Sequence, residues 1–162
     1  ILATSDITPL VVTNGGGILD LYNPAGSGKN LVVLTAGCST VSGTPGGPLY
    51  LDVLPPLPTA TFNASLVAAS SNVIVNAATW ALGASTGKAF IMPSLGNSIA
   101  FTTLRPLCGQ AAVAAGAGIY SCEVELAGQV MVPPGGILAI SAHAVGTSHV
   151  VSCHFTWEEV QQ

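Results

Sequence analysis

Charge is what this sequence has least of. Three Lys+Arg and seven Asp+Glu make up the whole ionic complement of 162 residues, 6% of the chain, where a soluble domain ordinarily has about a quarter of its residues charged. Lys29, Lys88 and Arg105 are the entire cationic inventory, and the formal net charge is −4. That is too few cations to track a phosphate backbone, so nucleic acid is not an expected partner. It is also too few for a basic membrane-surface patch. Long apolar runs are missing as well. The longest low-polarity stretch, 111–120, is interrupted by glycine and is well short of the ~20 residues a spanning helix needs. No membrane partner is therefore expected. Residues 1–10 show no basic segment followed by an apolar one, so they do not read as a signal peptide.

Cysteine is scarce and widely spaced. Cys38, Cys108, Cys122 and Cys153 contain no C-x-x-C pair, which excludes a zinc ribbon or a thioredoxin motif. The reading that their surroundings favour is buried thiols acting as small apolar residues. One or two disulfides are the alternative, with the connectivity open.

What the chain does have is β texture. Hydrophobic residues make up 49% and mean hydropathy is +0.64. Strands are expected over 7–13, 17–22, 30–38, 48–54, 72–76, 89–92, 98–104, 118–126, 129–132, 136–144 and 148–160. Clusters of the 19 glycines and 11 prolines punctuate them about every dozen residues, as in a sandwich or barrel. No amphipathic helix competes, since 64–70 and 110–117 are Ala-rich but short and weakly capped. With no repeat and no linker of shifted composition, residues 1–162 read as one domain, and residues 1–6 as an extended arm. The clearest element is a C-terminal hairpin, 136–144 turning through Val145-Gly146-Thr147 into 148–160. In its last strand Val151, Cys153, Phe155 and Trp157 share an apolar face, and Ser152, His154, Thr156 and Glu158 a polar one. A chain so apolar and so poor in charge is expected to hide much of its surface against other protein.

Few residues offer chemistry. Asn23-Pro24-Ala25-Gly26-Ser27-Gly28-Lys29-Asn30 echoes a phosphate loop, but Asn23 replaces the first glycine and Asn30 the magnesium-binding hydroxyl. A strand pattern follows where an anion-binding helix is needed. The loop therefore reads as a tight turn with Lys29 solvated. His143 and His149 flank the expected hairpin turn and would face each other across it, which makes them the candidate metal ligands. No third ligand is evident, and no cofactor is expected. Asp20 and Asp52 interrupt apolar runs and should point outward. Glu123 and Glu125 share one strand face, as a solvated stripe or, less simply, as paired acids. Glu158 and Glu159 are expected to blunt a sheet edge. No G-x-S-x-G occurs, and ionisable groups are too few for general acid–base work. No catalytic residue is assigned and an enzyme is not expected. Asn63-Ala64-Ser65 fits a glycosylation acceptor, and Trp80 is the aromatic most expected to be exposed.

Two segments resemble known proteins. Residues Leu21-Tyr22-Asn23-Pro24-Ala25-Gly26-Ser27-Gly28-Lys29-Asn30-Leu31-Val32-Val33 are similar to a turn-plus-strand block in small structural proteins of tailed bacteriophages. Val132-Pro133-Pro134-Gly135-Gly136-Ile137-Leu138-Ala139 through Phe155-Thr156-Trp157-Glu158-Glu159 resembles the C-terminal strands of the same group. The middle, 59–117, carries no matching motif. The resemblance implies an antiparallel, jelly-roll-like β-sandwich, commonly trimeric, mounted on the virion exterior after assembly in the host cytoplasm. It implies a capsid decoration protein, a head fibre or a tail-associated fibre module, the first fitting best, with itself and the major capsid protein or other virion proteins as partners. The alternative is a fibre or receptor-binding module that grips host carbohydrate. It carries over no catalytic residues.

Overall fold

A computed structural model describes residues 2–7, 17–42, 48–54, 73–75, 88–90, 102–108, 121–142 and 150–162. Their regular structure is entirely strand: β1 (Leu2–Ile7), β2 (Gly17–Tyr22), β3 (Lys29–Ser42), β4 (Leu49–Leu54), β5 (Val73–Val75), β6 (Lys88–Phe90), β7 (Thr102–Cys108), β8 (Ser121–Val132), β9 (Ile137–Ala142) and β10 (Val150–Gln161). They form two five-stranded sheets. Sheet A runs β5-β1-β10-β3-β8 and sheet B runs β6-β2-β9-β4-β7. Every pairing is antiparallel. The all-β expectation holds, and two antiparallel sheets on one core are compatible with a β-sandwich.

The pairings are nested. β1 pairs with β10, β2 with β9, β3 with β8 and β4 with β7. Chain-adjacent strands lie in opposite sheets except β6 and β7, which are both in sheet B. β10 then pairs with β3, and β9 with β4, which places β10 and β9 inside their sheets.

Alternation along each strand supplies the core. Leu19, Leu21, Leu49, Leu51, Leu138 and Ile140 from sheet B join Leu31, Val33, Leu126, Val151, Phe155 and Trp157 from sheet A in one buried cluster. Phe155 and Trp157 are fully buried, and truncating either to alanine costs about 3–5 kcal/mol. The four-residue apolar face read from the last strand is therefore the inner face of β10. β3 keeps its inner face by a bulge. Leu34 is skipped by β10, where Thr156 pairs with Thr35 and Trp157 with Val33. Against β8 it stands opposite residues 126–129, because Val33 pairs with Val130 and Thr35 with Glu125. The extra residue flips the parity, so Leu31 and Val33 face inward before it, and Ala36 and Cys38 after it.

Several expectations are corrected. The C-terminal hairpin does not form: β9 lies in sheet B and β10 in sheet A, so the segment between them crosses from sheet to sheet. Alternation and a Gly-centred turn identify strands but not the sheet that each joins. Within the segment read as an extended arm, Leu2–Ile7 is a strand paired on both sides, to β10 and β5. Residues 118–126 and 129–132, read as two strands, contribute to one strand, β8. Ala127 (φ 47°) and Gly128 (φ 75°) bulge within it instead of ending it. The cysteines, read as free thiols, include the disulfide Cys38–Cys153, and no described cysteine is free. Cys153, Cys38 and Cys122 stand in one register row across β10, β3 and β8.

Candidate functional site

Three constellations gather the polar residues that the sequence singled out. The first is a knot at one end of the sheets. Asn23 ends β2 fully buried, and its Nδ2 donates 2.8 Å hydrogen bonds to the carbonyls of Lys29 and Val132. Its backbone N–H donates to the Gly136 carbonyl at 3.1 Å, and its own carbonyl accepts from Gly135 N–H at 2.7 Å. One side chain thus ties the N-P-A-G-S-G-K turn to the P-P-G-G turn. These are the two motif-bearing blocks, and Asn23 is the residue whose role the sequence did not show. Gly26 and Gly28 have positive φ, which glycine adopts without strain. The turn runs straight into β3, so no helix N-terminus faces it and the phosphate-loop reading fails. Lys29 is not simply solvated: its Nζ lies 2.8 Å from Glu159 Oε2. Glu159 therefore closes the knot. The described pairing of β10 with β1 ends at Thr156, so Glu158 and Glu159 pair only with β3, on a stretch of β10 with no described partner on its other side.

The second is on the outer face of sheet A. Thr4, His154, Gly37 and Glu123 occupy one row across β1, β10, β3 and β8. Nε2 of His154 reaches over Gly37 to within 3.5 Å of Glu123 Oε1. The next row carries Ser152, Ser39 and Ser121, and Ser39 Oγ donates to Ser121 Oγ at 3.1 Å. His154, read from the sequence only as part of the polar face of the last strand, thus pairs with half of the Glu123/Glu125 stripe. Both glutamates are exposed, as a solvated stripe should be.

The third is in sheet B. Asp20 and Asp52 both pair in register with Ala139, one from each side. Both point away from the inter-sheet core, as alternation requires, yet both are fully buried. The expected outward direction holds; the expected exposure does not, because this face of sheet B is covered too. Ala139, Ser141 and Ile137 on it are also buried. Ser141 Oγ donates a short hydrogen bond to Asp52 Oδ2, and both aspartates make further interactions. With no solvent exposure, these carboxylates hold structure and are not presented to a substrate.

His143 and His149 lie outside the described residues, as do Asn63 and Trp80. The hairpin that was to bring the two histidines face to face is absent, so the register argument for a metal between them no longer stands. Among the described residues, no three His, Cys, Asp or Glu are grouped to hold a metal ion. The chain matches no family model, no curated protein and no solved structure in comparison with known proteins.

Proposed function

We propose that this chain is a structural component of a tailed-phage particle, a decoration protein mounted on the capsid exterior as a symmetric oligomer. One observation carries the reading: the nested pairing of β1 with β10, β2 with β9, β3 with β8 and β4 with β7. In a jelly roll, the strand pairs of an antiparallel double ribbon alternate between two sheets, an architecture that recurs in capsid and lectin domains, and the nesting supports that reading of this chain. A fold by itself does not fix a role. The role is supported by the scarcity of charge and by the resemblance of the blocks that Asn23 ties together.

The Cys38–Cys153 disulfide fits the same placement, because virion surfaces are oxidising locations where such bonds persist. Cross-linking strands 115 residues apart also suits a part that must resist strain from the shell.

The test is quantitative mass spectrometry of purified particles of the phage encoding the chain. Copies in fixed stoichiometry with the major capsid protein, removed when the shell exterior is stripped, support the reading. A few copies per particle would favour the receptor-binding alternative, and presence only in the infected-cell lysate rejects both.

A further inference from the structure

The edge strands β7 and β8 lie side by side on one flank of the molecule. On β7, Thr102, Thr103, Leu104, Arg105 and Pro106 are all exposed, and Leu107 is buried. A strand on a sandwich ordinarily buries alternate residues, so five consecutive exposed residues mean that, among the described residues, neither face of this segment is covered. Leu104, at 47% exposure, is one of the few large apolar side chains left open to solvent.

The two neighbouring strands carry opposite charges. Arg105 is one of only three cations in the protein. Exposed Glu125 stands on β8, in register with Thr35. Among the described residues neither Arg105 nor Glu125 makes an ion pair, whereas Lys29 is held by Glu159. In a chain this short of charge, a cation and a carboxylate left open on neighbouring edges form a complementary set.

We infer that the β7–β8 flank is a self-association surface, whose occupant is a second copy of this chain, with Arg105 of one copy set against Glu125 of the next. Leu104 supplies the apolar contact beside that pair. Pro106 has no N–H to offer an added strand, so the copies meet through side chains and not by extending the sheet. The inference rests on the oligomeric reading proposed above and names the surface that serves it.

The experiment is sedimentation equilibrium of the full chain, compared with Arg105→Glu, Glu125→Arg and the double reversal. The wild type is expected at a multiple of 16.1 kDa. Each single reversal sets like charges together and should raise the dissociation constant at least about tenfold, and the double reversal should restore association. Unchanged circular dichroism and urea midpoint establish that each variant is folded. Leu104→Asp, at an exposed position, gives a second and independent disruption. A wild type that stays at 16.1 kDa at every concentration overturns the inference. So do single reversals that keep the wild-type mass, or a double reversal that fails to recover it. A monomer in solution that is still abundant on purified shells would sink this surface and leave the decoration reading standing, so the two fail separately.

Discussion

The imidazole of His154 occupies the space that a side chain at position 37 would need. A Cβ built on Gly37 would meet His154 Cε1 at 2.5 Å and the Cys122 carbonyl oxygen at 2.8 Å. Glycine is required here by its neighbours and not by a turn. Its bareness is what lets His154 lie across β3 and reach Glu123.

Gly37→Ala should therefore destabilise the protein by about 1–3 kcal/mol, the usual cost of overpacking, measured as a fall in urea midpoint at constant slope. In a His154→Ala background the same change should cost less but still register, because the Cys122 carbonyl stays in place. Equal costs in both backgrounds would show that the imidazole is not the obstacle.

Replacing Cys38 and Cys153 together by serine opens a cross-link between residues 115 apart. The chain-entropy estimate for a loop of this length is about 4–5 kcal/mol, and measured losses run about 2–5 kcal/mol. Chemical denaturation with and without reductant checks it. The wild type should lose more stability under reductant than the double variant, which has only the remaining Cys122 bridge to lose.

Much of the fold was legible in the sequence, and the misses have physical causes. β2 was bounded correctly, because Gly17 opens its apolar run and the Asn23-Pro24 turn closes it. The inner face of β10 was read from Val151, Cys153, Phe155 and Trp157, since alternation depends only on the local chain. What failed was non-local. Nothing near Gly146 states that β9 and β10 belong to different sheets. Nothing near Asp20 or Asp52 reveals that the outer face of sheet B is covered as well. The bulge at Leu34 was equally hidden, because its parity flip is set by two neighbouring strands. The site suffered in the same way: Asn23 bonds Val132, 109 residues away, and His154 finds Glu123 across the intervening strand β3.

Asn23→Ala should cost about 2–4 kcal/mol, two buried carbonyls losing their donor at roughly 1–2 kcal/mol each. Asn23→Asp should be worse, since it turns a carboxylate toward those same oxygens. Thermal and urea melts of the pair check the order, and an aspartate variant as stable as wild type would refute the knot.

Ser141→Ala removes the donor that Asp52 Oδ2 accepts in a fully buried setting. The expected loss is about 1–3 kcal/mol. Asp52→Asn keeps an acceptor for the hydroxyl and should lose less than Asp52→Ala. Denaturation curves for the three variants decide it.

The nested order of the strands has a consequence for biosynthesis. β1 leaves the ribosome before the other nine described strands, yet its partner is β10, the last of them. Sheet A cannot close until β10 has emerged, so it forms through contacts of high sequence separation, which are slow to form. Until then the early strands expose open edges in a polypeptide with little charge to keep copies apart. Yield on overexpression should accordingly fall with synthesis rate and recover at low temperature or with a chaperone that shields nascent chains.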